Sequence, residues 1–130
     1  MKLLLDTHAF LWYITNDTKL PLPFASAIRN PSNEVFVSAA SIWEAVIKHH
    51  LGKLPLPQPP AEYLPRQRIV HGLLPLAVDE GAMPFLAKLP PLHRDPFDRI
   101  LVAQAQQHGM TLASIDPLVL AYPVPFLPRV

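Results

Sequence analysis

The chain contains no cysteine. Disulfides, thiolate zinc sites and cysteine nucleophiles are therefore excluded. Glycine is nearly as scarce, with four residues in 130. There is no glycine-rich phosphate loop and no G-x-S-x-G elbow. No apolar run approaches the ~20 residues that a membrane helix needs. The leucines between Lys2 and Asp6 are also too few for the apolar region of a secretory leader. The expectation is a soluble, cytoplasmic protein. The six histidines lack the fixed spacing of a tetrahedral zinc site, and His49 and His50 are simply adjacent.

Hydrophobic residues make up 50% of the chain, which argues against disorder. A length of 130 residues suits a single domain with its own core. The 17 prolines gather at "KLPLPQPP", "LPPLHRDP" and "PVPFLPRV". They mark short stiff connections within one domain spanning 1–130.

Periodicity predicts alternating strands and helices. "KLLLD" and "EVFVS" are strands, "LLPLAV" a poorer one, "MTLASID" another, and "VPFL" a last edge strand. "THAFLWYIT", "FASAIRN", "AASIWEAVIKHHLG" and "DEGAMPFLAKL" are helices, and "PAEYLPRQRIVHG" is a helix broken near Pro65. "DPFDRILVAQAQQHG" is the clearest helix, with Asp95 and Pro96 at its start and Gly109 at its end. Trp12 and Trp43 lie on apolar helices and are expected in the core. The alternation indicates an α/β fold whose mostly parallel sheet is covered on both faces.

Sites in such folds form at the C-terminal ends of the strands. Asp6 ends the first strand, Glu44 follows the second by a turn or two of helix, and Asp116 follows "TLAS". Each acid has a local explanation as well. Asp6 can cap a helix, Glu44 can pair with Lys48 four residues on, and Asp95 and Asp98 can form a loose capping box. Asp116, before Pro117, can be a turn residue. These local explanations do not account for the shared location. Glu44 is also flanked by Ile42, Trp43, Ala45, Val46 and Ile47, which leaves its helix little polar face. If Asp6, Glu44, Asp95, Asp98 and Asp116 converge, five acids remain elsewhere against 11 cations. That layout is an acidic pocket in a basic body, suited to a polyanionic substrate.

Clustered carboxylates repel unless a cation joins them. Oxygen donors without thiolate or imidazole favour Mg²⁺ or Mn²⁺. Thr7 and Ser114 could orient carboxylates or water. Arg94 and Arg99 could approach phosphates or balance Asp95 and Asp98. A metal-dependent phosphodiesterase follows, most naturally a nuclease.

"LLLDTHAFLW", "SAASIWE", "HRDPFDRILVAQA" and "LASID", in this order and spanning nearly the whole chain, resemble the PIN domain family, and closely its VapC-type ribonuclease toxins. The resemblance implies a three-layer sandwich around a five-stranded parallel sheet and RNA cleavage by activated water at an acidic Mg²⁺/Mn²⁺ site. It also implies a homodimer and a hetero-oligomer with a small VapB-like antitoxin. By motif, Asp6, Glu44, Asp98 and Asp116 match the family's acids, with Asp6 and Asp98 foremost as metal ligands. Asp95 is an extra acid, and Thr7, Ser114 and Arg99 are supporting residues. Two rival readings fit the same residues. One is a PIN-fold nuclease of RNA processing or DNA cleavage. The other is a receiver-like signalling module, which would be expected to carry a lysine that "LASID" lacks.

Overall fold

The computed structural model describes residues 1–130. Strand β1 (Lys2–Leu5) is central, in a four-stranded sheet of order β3-β2-β1-β4. Its neighbours are β2 (Glu34–Ser38) and β4 (Thr111–Ala113), and β3 (Leu74–Leu76) lies beyond β2; all pairs are parallel. A central strand covered on both faces needs apolar residues at every position. Leu3, Leu4 and Leu5 are accordingly all fully buried.

Because successive side chains point to opposite faces, these leucines feed two separate cores. Leu3 and Leu5 pack with Phe10 of α1 (Thr7–Ile14), Phe24 and Ile28 of α2 (Leu22–Arg29) and Leu64 of α4 (Pro60–Val70). Leu4 packs on the other face with Leu101 and Val102 of α6 (Pro96–His108) and Val119 of α7 (Pro117–Leu120). Helix α5 (Met83–Lys88), reached through a 3₁₀ turn capped by Asp79, covers the same face. Helix α3 (Ala39–His50) serves both cores, giving Ala45 to the first and Ala40 to the second. The three-layer α/β sandwich is as expected.

Three details differ from the sequence reading. The sheet has four strands, and the fifth position is held by a single parallel bridge between Leu112 and Phe126. Pro123, Pro125 and Pro128 lack the N–H groups that a longer ladder would use. Pro65 does not break α4, which runs continuously through it; the fully buried Leu64 anchors the helix beside that residue. Trp43 is not core: it is 62% exposed and meets Phe97 edge-on at 5.0 Å.

Candidate metal centre

The parallel arrangement puts the ends of β1, β2 and β4 on one rim. Asp6 follows β1, and its backbone N–H donates to Ala113 O of β4 at 3.1 Å. Its buried carboxylate caps α1 by accepting from the Ala9 N–H at 2.7 Å. Ser38 ends β2 and caps α3, its Oγ accepting from the Ala40 N–H at 3.1 Å. Nearly two turns further on, Glu44 is only 3% exposed. It accepts from the Thr7 hydroxyl at 2.6 Å and pairs with Lys48 through its other oxygen. The expected lysine pair therefore exists, but Glu44 itself points inward. Beyond β4, Asp116 caps α7 by accepting from the Leu118 N–H at 2.9 Å, and its own N–H donates to Ser114 Oγ at 3.2 Å.

The start of α6 separates its two aspartates. Asp95 is the cap, with Oδ1 accepting from the N–H groups of Phe97 at 2.8 Å and Asp98 at 3.3 Å. Asp98 does not return the contact that would close a capping box. Its Oδ2 instead meets His93 Nε2 at 2.7 Å, and the same nitrogen lies 3.6 Å from Asp116 Oδ2. One ligand atom from each of His93, Asp98 and Asp116 lies within 4.8 Å of the others.

Crowding of carboxylates at low water content shows in their acidity. Burial pushes Asp98 up to about 6, opposed by the His93 hydrogen bond and reinforced by the charges of Asp95 and Glu44. Burial also raises Asp6, against the hydrogen bonds of Ser114 and Ala9 and the charge of His8, while Glu44 adds to the rise. Lys48 is raised as well, for a different reason. Burial disfavours its ammonium, but the hydrogen bond and charge of Glu44, together with Asp95 and Asp98, hold it above its ordinary value. Carboxylates that resist ionisation and a lysine that holds its proton describe a place short of positive charge.

The structure thus brings Asp6, Glu44, Asp98 and Asp116 to one rim, with Thr7, Ser114 and Asp95 beside them. Arg99 differs from expectation. It forms no ion pair with the acids, and its Nη1 donates to Pro90 O at 3.1 Å and to Tyr122 Oη at 2.9 Å. Its support goes to the loop ahead of α6. His93 and Tyr122 are site or support residues that the sequence pattern does not mark. The one available signal was the place of His93 within "HRDPFD".

Fold and site define a parallel α/β domain whose strand ends are rimmed with acids. Residues 3–119 match the PIN domain model, and the chain belongs to that family. It is 44% identical over 54 residues to "Ribonuclease VapC16" of Mycobacterium tuberculosis (strain ATCC 25618 / H37Rv), a match covering 42% of this chain and 38% of that relative's length. Among solved structures, it resembles DNA-bound VapBC from Salmonella typhimurium, with a TM-score of 0.69, 15% identity and coverage of 97% and 96% of the two chains. VapBC2 from Rickettsia felis, bound to a promoter DNA fragment, gives a TM-score of 0.67 at 14% identity, with 97% of each chain covered. At these identities the likeness to the solved structures is one of fold.

Proposed function

We propose that this chain is a cytoplasmic, Mg²⁺- or Mn²⁺-dependent endoribonuclease that acts as the toxin of a toxin–antitoxin pair. The observation that carries the reading is the gathering of Asp6, Glu44, Asp98 and Asp116 over the C-terminal strand ends. The donor set fits a hard divalent cation, since it is rich in carboxylate oxygen and its members repel one another without one. Asp6, Asp98 and Asp116 would hold the ion, the last two because their oxygens already lie together, with Glu44 completing the negative rim. When bound, the ion lowers the pKa of a water molecule and offsets charge on the phosphodiester. Thr7 holds Glu44 in one orientation, and Ser114 does the same for the turn that carries Asp116. Hydrolysis adds water to phosphorus and breaks one bridging P–O bond, leaving a phosphate monoester and a hydroxyl. Arg94 is exposed and free to meet substrate phosphate, whereas Arg99 is occupied by the loop.

The partners belong to the same reading. Trp43, Ile47 and Leu51 recur every four residues and are 62%, 38% and 61% exposed. This is one apolar stripe along α3 and its C-cap, and a stripe of that kind is covered in an assembly. The chain forms a homodimer and takes a small antitoxin over the apolar surface of α1 and α3. The names of the relatives above, a ribonuclease and toxin–antitoxin complexes, agree with this assignment.

Purified protein incubated with total RNA should cut it in Mg²⁺ or Mn²⁺ and stop in EDTA, and mapped ends would give the cleavage sequence. Full activity in EDTA would overturn the metal reading. Light scattering at micromolar concentration should give a dimer mass, and a monomer would defeat that part.

A further inference from the structure

We propose that His93 is itself a metal ligand, so that the centre offers an imidazole nitrogen between two carboxylates and selects Mn²⁺ over Mg²⁺. The inference rests on the metal-centre reading above and goes beyond it, because the acids alone would make an all-oxygen site.

Placement is the first argument. Nε2 of His93 faces Asp98 Oδ2 at 2.7 Å and Asp116 Oδ2 at 3.6 Å. A histidine that merely balanced Asp98 would need only that carboxylate. This one also approaches an acid from a different element, after β4.

Support is the second argument. His93 sits in the loop before α6, yet its backbone is held on both sides. Its N–H donates to Tyr122 Oη at 3.0 Å, and Arg99 Nη1 lies 3.5 Å from its carbonyl oxygen. The same Arg99 nitrogen bonds Tyr122 Oη and Pro90 O, and Tyr122 is 3% exposed. A buried tyrosine and an arginine thus fix the loop from which the ring projects. Such outer supports commonly set the orientation of a ligating histidine. The arrangement also keeps the permanent cation Arg99 behind the loop, one residue from Asp98 yet unpaired with any acid. The donor facing the two carboxylates is then one that can bind a metal, since neutral imidazole has a lone pair and guanidinium has none.

Chemistry sets the consequence. Mg²⁺ takes oxygen ligands and keeps much of its water, whereas Mn²⁺ opens the first-row series of ions that accept nitrogen donors alongside carboxylate oxygen. The full chain, stripped of metal, would be titrated with Mn²⁺ and with Mg²⁺ by calorimetry, and the Mn²⁺-bound form studied by pulsed electron paramagnetic resonance. The expected spectrum carries ¹⁴N modulation that changes to the ¹⁵N pattern when histidine is isotopically labelled. His93→Gln should remove it and weaken Mn²⁺ by at least the roughly 10- to 100-fold that loss of an outer-shell partner costs, with a smaller effect on Mg²⁺. His8→Gln, which alters the ring beside Asp6, should leave it. Mn²⁺ bound without histidine nitrogen coupling in the unaltered chain would overturn this inference and leave the metal reading standing. Coupling that survives His93→Gln, or is lost in His8→Gln, would also overturn it. Failure to bind Mn²⁺ at all would overturn both. The labelled unaltered chain and His8→Gln keep the test decisive if His93→Gln does not fold.

Discussion

Thr7 and Glu44, 37 positions apart, are joined by a buried 2.6 Å hydrogen bond from hydroxyl to carboxylate. It ties the start of α1 to the middle of α3, and so holds Glu44 next to the residue that follows Asp6. Thr7→Val keeps the shape but leaves Glu44 Oε1 without its donor. The expected loss is about 1–3 kcal/mol in urea denaturation, while Thr7→Ser should stay close to the original. Equal stability of Thr7→Val would show that Lys48 alone satisfies the carboxylate.

The two aspartates at the start of α6 should separate in function. Asp98→Asn removes charge at the centre, so RNA cleavage should fall by orders of magnitude while melting temperature holds or rises as repulsion is relieved. Asp95→Asn should be mild in both assays, because asparagine caps about as well as aspartate, whereas Asp95→Ala should cost about 1 kcal/mol. Loss of cleavage in Asp95→Asn with full activity in Asp98→Asn would reverse the roles.

Stability without metal should depend on pH in a definite sense. Asp98 has an ordinary value of 3.8 and is pushed up to about 6 in the fold. Between these values the folded chain holds a proton that the unfolded chain has released. The favourable contribution is therefore full below about pH 4 and is lost as pH rises through about 6. Asp6, also raised by burial, acts in the same direction. Melting curves in EDTA from pH 4 to 7 should show Asp98→Asn gaining on the unaltered chain as pH rises, and parallel curves would contradict this.

Gln104 is fully buried in α6. Its Oε1 accepts from Ser38 Oγ at 2.6 Å, and its Nε2 donates to Ala77 O at 3.1 Å. It thereby joins the cap of α3 to the segment after β3. Gln104→Leu fills similar space and leaves both partners buried without it, so a loss of about 1–3 kcal/mol is expected. An unchanged denaturation midpoint would mean that water replaces the amide.

Helix α6 was legible in the sequence because its signals are local: an aspartate cap, proline in the first turn and Gly109 in a left-handed conformation at its end. The inward placement of Glu44 was legible for a similar reason, given its wholly apolar neighbours. The exposure of Trp43 is not legible in the sequence, because α3 has more large apolar residues than one buried face can use and periodicity alone does not say which of them stay outside. The sequence does not mark His93 as a site residue, because its partnership is made in space. Asp98 is near in sequence, but Asp116 and Tyr122 reach it only after β4 has crossed the sheet. The missing fifth strand follows from proline chemistry, which a hydrophobic pattern such as "VPFL" does not weigh.

The single bridge at Leu112 blocks one route to aggregation, the growth of the sheet from its β4 edge. Strand β4 is the outer strand of the sheet on that side, and a bare outer strand invites another chain to add to it. Here the Leu112 N–H is taken by Pro125 O at 2.9 Å, and the Leu112 carbonyl by the Leu127 N–H at 3.1 Å. The segment that occupies this edge carries prolines at 123, 125 and 128, so it cannot become a good outer strand in turn. It is a terminator: it closes the ladder and offers a newcomer too few amide hydrogens to start another rung.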